Sequence, residues 1–509
     1  MVDKLHLPNT GQINLRNILT RSLQGNETDF RTPFYKGIDR KSLLEDVQDI
    51  AYDVPFKGLL DLEIDEARKV GPTSIMLPYV QREADVDGYY RPAKLHGHAH
   101  EALEAVEYAA LKGIDAPPSP AGLRDSFDSM PRGTNLGLPY MSRERRFVGS
   151  YLHRAERMVS RGDPSMMWPA VLLWRGQAAG LHKVPKQRVI WAMDHAETII
   201  SLAISRPLME VLRRRPEYSA WNGPEHTDVA VTYMIQESIR RESDIHSVDV
   251  SGFDQSVGES LLMHVWEWIQ TWVLESGPLV RILQETTANI GLVTPLGIER
   301  SRGHGIPSGS GLTSLLGTLA MRLVVFAVAR WLGTEVVSSI HMGDDALILF
   351  KDRVTPEQLA DAFKVFGLKY NAPKSGAAVG TCHFLQRWYS YEYRIDGVCR
   401  GVRSINRTIT GLSGYERFHR EWSPYLDAVR WVSQAENCRW HPNFKRFVEW
   451  IIAGVPLLQS DMPMSEIVRR AGGAEEVSSR LGFRSYGTGR ADPVGINKFE
   501  FTRIRESSV

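Results

Sequence analysis

The sequence predicts an α+β protein built around an antiparallel hairpin near its middle, and four stretches carry that expectation. Val336–Met342 and Ala346–Phe350 are β-branched and apolar runs flanking Gly343-Asp344-Asp345, which is the sequence form of a β-hairpin. Ile245–Val250 alternates toward a strand, with Asp249 at its end. Helical patterns surround both. Glu259–Leu274 carries Leu262, Val265, Trp266, Ile269 and Val273 on one side, and Pro356–Phe366 is amphipathic with a proline at its start.

Length and composition bound the function. A chain of 509 residues exceeds what one hydrophobic core serves, so two to four lobes are expected. The apolar share of 43% and charged share of 24% belong to an ordinary soluble globular protein. Net charge is only +1, so affinity for nucleic acid has to come from local basic stripes. Cys382, Cys399 and Cys438 are scattered without metal spacing, as in a reducing compartment. The first residues, MVDKLHLPNTGQINLRN, lack the apolar core of a signal peptide. Leu312–Leu332 is long enough to cross a membrane, but Gly317, Arg322 and Arg330 interrupt it. Arginine near a bilayer centre is costly, so this segment reads as a buried core helix and no membrane association is expected.

Taken in order, residues 1–75 are polar and mixed, with helical periodicity over Ser42–Ala51, and read as an N-terminal extension. His96-Gly97-His98-Ala99-His100 alternates like three groups on one face of a strand. It lacks the fourth ligand and the frame that zinc wants, and reads as a polar surface strand. Gly133-Thr134-Asn135-Leu136-Gly137-Leu138-Pro139 is a tight loop that a backbone can pass closely. Arg143, Arg145, Arg146, Arg154, Arg157 and Arg161 follow, interleaved with Tyr140, Phe147 and Tyr151, a composition that suits a groove tracking a nucleic-acid backbone. Lys186 and Arg188 occupy alternate positions of a strand and project on one face. Such a cationic ribbon serves a solvated edge strand or clamps a triphosphate.

Asp254 returns five residues after Asp249. Gly303–Thr313 is a glycine- and serine-rich loop opening the long apolar helix, a form that brings N–H groups and hydroxyls to an anionic or sugar ligand. At the hairpin tip, two adjacent carboxylates oppose each other's ionisation unless cations sit there, and hard oxygen ligands suit Mg²⁺ or Mn²⁺. A lone Gly-Asp-Asp is also an ordinary turn. Gly367-Leu368-Lys369-Tyr370-Asn371-Ala372-Pro373-Lys374-Ser375 and His383-Phe384-Leu385-Gln386-Arg387-Trp388 come next. Beyond Gly401 the pattern is helical, basic and rich in tryptophan, and the tail from Gly487 reads as a loop.

The order loop, cationic strand, Asp-x-x-x-x-Asp, Ser-Gly-x-x-x-Thr, Gly-Asp-Asp, Lys, Phe-Leu-x-Arg resembles the motif series of viral RNA-dependent RNA polymerases. The stretches SVDVSGFDQS, GIPSGSGLTSLLGT and MGDDAL look most like the double-stranded RNA picobirnaviruses, with partitiviruses next. The resemblance covers about half of the chain. It implies a right hand of fingers, palm and thumb, with an antiparallel palm sheet flanked by helices. Residues 1–75 would be the extension and 76–243 the fingers, with part of the palm near 190–215. Residues 244–258 would be palm, 259–300 a fingers insertion, 301–400 palm, and 401–509 thumb and tail.

By the same resemblance, Asp249 and Asp344, with Asp345 assisting, hold two Mg²⁺ or Mn²⁺ ions. Lys186 and Arg188 contact the incoming nucleoside triphosphate. Asp254 reads the ribose 2′-hydroxyl, with Ser308, Gly309 and Thr313 in the loop that positions the sugar. Lys374 protonates the departing pyrophosphate. Thr134, Asn135, Gly137 and Pro139 guide the template strand, and Arg387 grips the primer strand. Gly317 stands where many members with single-stranded genomes carry Asn, so sugar recognition leans on Asp254, Ser308 or Thr313. The implied partners are template and nascent RNA, nucleotides and capsid protein. The implied setting is a monomer in the virion interior and host cytoplasm. Two other readings share some features: a reverse transcriptase, which Asp254 and Met342 oppose, and a non-catalytic RNA-binding virion protein, which leaves the carboxylates unexplained.

Overall fold

The computed structural model describes residues 2–111, 116–130, 134–299, 303–417, 422–481 and 495–508. Its centre is an antiparallel sheet of four strands: β1 (Ile245–Val248), β2 (Val336–Met342), β3 (Asp345–Phe350) and β4 (Gly376–Ala378), in the order β4-β1-β3-β2. Side chains alternate across such a sheet, and β3 uses both faces. Ala346, Ile348 and Phe350 enter the largest core with the long apolar helix, while Leu347 and Leu349 pack with Met234 and Ile235 of the Pro224–Arg241 helix. A strand buried on both sides reads as a continuous apolar run, as Ala346–Phe350 does.

The long apolar helix spans Thr313–Trp331, with Arg322 only 3% exposed. Its length and composition alone would let it cross a membrane, yet it is wrapped by protein. Arg322 donates to the Ala110 carbonyl, to Ser339 Oγ at 2.9 Å and to Glu217 Oε1 at 3.2 Å. A buried guanidinium lacking such partners would cost several kcal/mol, so these contacts explain an arginine within a core helix.

A second sheet holds the cationic strand. Lys186–Ala192 pairs antiparallel with Ala170–Gln177, which continues through Leu292–Val293 to Ile298–Glu299. The alternation leaves Lys186 and Arg188 exposed and buries Val189 and Trp191.

Residues 1–75 do more than extend the chain. Leu15 and Leu19 pack with Leu138, Val171 and Val293, whereas Phe34, Leu43, Val47 and Ala51 join the core of the C-terminal helices. Fully buried Glu63 accepts from Ile405 N at 2.7 Å, Asn406 N at 3.0 Å and Ser404 Oγ at 2.7 Å. It thereby satisfies the orphan N–H groups at the start of the Ile405–Ser413 helix.

Three expectations are corrected. His96–His100 is not a strand: Gly97–Leu111 is a helix, because Ala99, Leu103, Val106 and Ala110 recur at helical spacing and are buried. The alternation of histidines was too short to outweigh that period. The final residues are not all loop, since Glu500–Ser508 is a helix with Phe501 and Thr502 buried. Its first N–H groups are held by Glu436 at 3.0 Å, while 487–494 lie outside the described residues. Arg154, counted in the basic groove, is ion-paired with the buried carboxylate of Asp194 and sits over the Tyr151 ring. It fastens the Val148–Arg161 helix to the N-terminus of His195–Leu212.

Candidate active site

The pairing of β1 with β3 decides the site. Val248 faces Ala346 and Met342 faces Asp345, so Gly343-Asp344 is a two-residue turn and Asp249 leaves β1 beside it. Gly343 takes φ 61°, the left-handed region that favours glycine, and its N–H donates to Thr318 Oγ1 at 2.9 Å. That bond ties the turn to the long helix. Asp249 is held from the other side. Its Oδ2 accepts from Asn371 Nδ2 at 2.6 Å, its N–H donates to Ser375 Oγ at 3.1 Å, and its carbonyl accepts from Asn371 N at 2.9 Å.

Burial raises the Asp344 carboxyl above the usual carboxylate range, and Asp249 adds to the rise. Burial, then Asp344 and Asp249, pushes Asp345 up to about 7. Arg188 and Lys374 oppose both shifts, which sets these two cations close to the acidic cluster. Lys186 is lowered by burial and then by its like-charged neighbours Lys374 and Arg188, while Asp249 and Asp85 pull it back. Asp249, Asp344 and Asp345 repel one another electrostatically across two adjacent strands, and carboxylates so coupled are a donor type suited to hard divalent cations.

The sign of that coupling is testable. In the cation-free chain a raised carboxyl contributes stability at low pH that is lost as pH climbs from the usual carboxylate range to about 7. Cation binding needs the ionised form. Calorimetric titration with Mn²⁺ is therefore expected to show proton release at about pH 6 that fades by about pH 8.5, with affinity rising over the same interval. A proton count independent of pH would exclude Asp345 from the cation site.

Asp254, Ser308 and their neighbours form a second layer. Ser308 donates its hydroxyl to Asp254 Oδ2, and Tyr89 Oη lies 3.0 Å from Ser308 Oγ. Asp254 is raised to about 6 by burial, the Ser308 bond opposing and Asp344 adding. The loop carrying Ser308 is pinned on the cationic strand. Trp191 N donates to the Ser308 carbonyl at 2.8 Å, and a Cβ on Gly309 would lie 2.1 Å from the Trp191 oxygen. Thr313 turns inward, its hydroxyl donating to the Pro307 and Ser310 carbonyls at 3.1 and 3.0 Å. Ser310 in turn donates to Glu197, which is fully buried. Gly317 has a physical reason: a Cβ there would stand 3.3 Å from the Phe253 ring and 3.7 Å from Gly343 Cα.

The structure thus gathers Asp249, Asp254, Ser308, Asp344, Asp345, Lys186, Arg188 and Lys374 in one electrostatically coupled cluster, with Gly309 and Thr313 framing its loop. The other expected residues make contacts elsewhere. Asn135 Oδ1 accepts from Gly137 N at 2.9 Å, and the Gly137 carbonyl accepts from Tyr151 Oη at 3.0 Å. Gly11 of the Asn9–Gln24 helix lies against the Pro139 carbonyl. Thr134 begins the described part of this loop, and Gly133 lies outside the described residues. Arg387 donates to the Gly401 and Asn437 carbonyls at 2.8 and 3.3 Å. Sequence reasoning missed Tyr89, Asn371, Ser375 and Glu197. Asn371 and Ser375 share the turn that carries Lys374 and were within reach; Tyr89 and Glu197 have no local signal.

Comparison with known proteins agrees with this geometry. Residues 118–452 match the family described as viral RNA-dependent RNA polymerase. The chain is 28% identical over 475 residues to a potential RNA-dependent RNA polymerase of a human picobirnavirus, covering 88% of this chain and 86% of that protein. It is 21% identical over 355 residues to an RNA-directed RNA polymerase of Cryptosporidium parvum virus 1, covering 66% and 65%. The crystal structure of a human picobirnavirus RNA-dependent RNA polymerase superposes with a TM-score of 0.82 at 25% identity, covering 99% of this chain and 98% of that one.

Proposed function

Because the chain belongs to the viral RNA-dependent RNA polymerases and performs RNA-templated RNA synthesis, we propose that it does so by nucleotidyl transfer at the Asp249, Asp344 and Asp345 cluster. The enzyme binds RNA and nucleotides, and its family uses divalent metal ions. The observation that carries the assignment is the placement of Asp249 beside the Gly343-Asp344 turn through the β1–β3 pairing. Neither the reverse transcriptase nor the passive RNA-binding reading gains support from the family match.

In this proposal Asp249 and Asp344, with Asp345 assisting, would hold two ions, Mg²⁺ or Mn²⁺, which would neutralise phosphate charge and lower the pKa of the attacking hydroxyl. Asn371 and Ser375 fix Asp249 so that its carboxylate does not have to reorganise during the reaction. Lys186 and Arg188 receive the triphosphate on the exposed face of their strand. The 3′-hydroxyl gives up its proton to solvent water, and its oxygen bonds to the α-phosphorus as the bond from that phosphorus to pyrophosphate breaks. Lys374 gives its ammonium proton to the leaving pyrophosphate oxygen. The 134–139 loop and Arg387 are assigned to template and primer by the resemblance. The setting is proposed likewise: a monomer that transcribes and replicates a viral genome against capsid protein, in the virion interior and the host cytoplasm.

Incorporation of labelled nucleotides on an RNA template with Mg²⁺ or Mn²⁺ tests the whole reading, and failure of the purified chain to extend any RNA under either ion would sink it. The sugar assignment has its own test. The chain Tyr89, Ser308, Asp254 presents a carboxylate and two hydroxyls where a 2′-hydroxyl can be read. A site built around such a bond rejects the analogue that lacks it, because polar groups are then left unpaired. Asp254→Ala is expected to erase most of the preference for ribonucleotides over deoxyribonucleotides, a change of about tenfold or more in the incorporation ratio. An unchanged ratio under the same metal would move selection to Ser308 or Tyr89.

A further inference from the structure

The histidine-rich stretch beginning at His96 finds no place in nucleotide transfer, yet one of its members meets a second histidine. His100 lies on the Gly97–Leu111 helix, and its Nδ1 stands 3.1 Å from Nε2 of His264 on the Glu259–Trp272 helix. Glu107 reaches the same place from the first helix, and Glu267 stands one turn beyond His264 on the second. One ring nitrogen of His264 and one carboxylate oxygen from each of Glu107 and Glu267 lie within 4.8 Å of one another. His264 is 1% exposed, and its Nδ1 is buried without a hydrogen-bond partner. Glu107 is half-buried and Glu267 exposed, so the cluster is rooted in the core and open to solvent at one edge.

We propose that His264, Glu107 and Glu267 bind one divalent transition-metal ion of the zinc class, which clasps the two helices together. Imidazole nitrogen beside carboxylate oxygen is a mixed donor set that suits Zn²⁺ and its neighbours, whereas Mg²⁺ and Ca²⁺ prefer oxygen alone. One imidazole and two carboxylates give three protein ligands, with the fourth tetrahedral position left to water. The carboxylates of Glu107 and Glu267 stand close enough to repel one another, and a bound cation would relieve that repulsion. The site is separate from the Asp249 and Asp344 cluster, and its occupation does not depend on the reading of that cluster.

The test uses the full-length chain, stripped of metal and then titrated with zinc chloride under millimolar Mg²⁺, which occupies all-oxygen sites. One equivalent of zinc is expected to bind in competition with a chromogenic chelator and to raise the thermal midpoint. Glu267→Gln, at an exposed position, and Glu107→Gln, at a half-buried one, are expected to weaken zinc binding at least about tenfold. Cobalt in place of zinc is expected to give visible absorption bands that His264→Gln removes. Zinc affinity unchanged in Glu267→Gln and Glu107→Gln would overturn the proposal, as would a wild-type chain that takes up no zinc under Mg²⁺. Loss of the bound equivalent in Asp344→Asn, with retention in Glu267→Gln, would overturn it equally by placing the ion at the polymerase carboxylates.

Discussion

Asp344→Asn is expected to abolish nucleotide addition, at least about a hundredfold in rate, while RNA binding stays nearly intact. Asparagine keeps the shape of the turn, because Gly343 supplies its positive φ and Thr318 its tether. What it removes is one anionic oxygen donor from the cluster. The exposed cations Lys186 and Arg188 are untouched, so the electrostatic part of binding persists. A second readout separates a lost ligand from a lost fold. Asp345 sits high partly through repulsion from Asp344, so the substitution should let Asp345 ionise at lower pH. Retention of more than about one per cent of wild-type activity in Mg²⁺ would contradict the assignment of Asp344 as an ion ligand.

Lys374→Leu is expected to slow the chemical step about 10²- to 10⁴-fold with little change in nucleotide affinity, the usual loss for a general acid. Single-turnover rates against pH give the decisive measurement. The wild-type dependence on an acidic group should vanish in the leucine variant. If it persists, the proton comes from another donor. Lys186 would be the first candidate, because burial and its like-charged neighbours Lys374 and Arg188 already lower its pKa. Lys369, exposed and paired in register with Ser251, is the next. Removing Lys374 also relieves part of the pressure on Lys186, so a rise in the Lys186 pKa should accompany the loss of rate.

The contrast between these two residues and Tyr89 marks what each level of description contributes. By itself the sequence determined the hairpin with its Gly-Asp-Asp tip, the strand ending at Asp249, the cationic strand, the Ser-Gly loop and the core helix at 313–331. Each of these is a local pattern of period, turn chemistry or charge, and local patterns survive without knowledge of neighbours. It also determined the family, because the motifs occur in one order. It misjudged His96–His100 and the last residues, where a short polar pattern concealed a helix whose apolar face has a partner only in the folded chain. Tertiary structure alone decided that Tyr89 reaches Ser308 across 219 positions, that Glu197 holds Ser310 across 113, and that Glu63 satisfies a helix start 342 residues away. It also decided what a side chain at Gly317 would meet, since Phe253 and Gly343 stand there rather than residues of its own helix. The physical reason is the same in each case: a buried polar group has to find its partner wherever the packed core leaves one, and sequence separation has no part in that requirement.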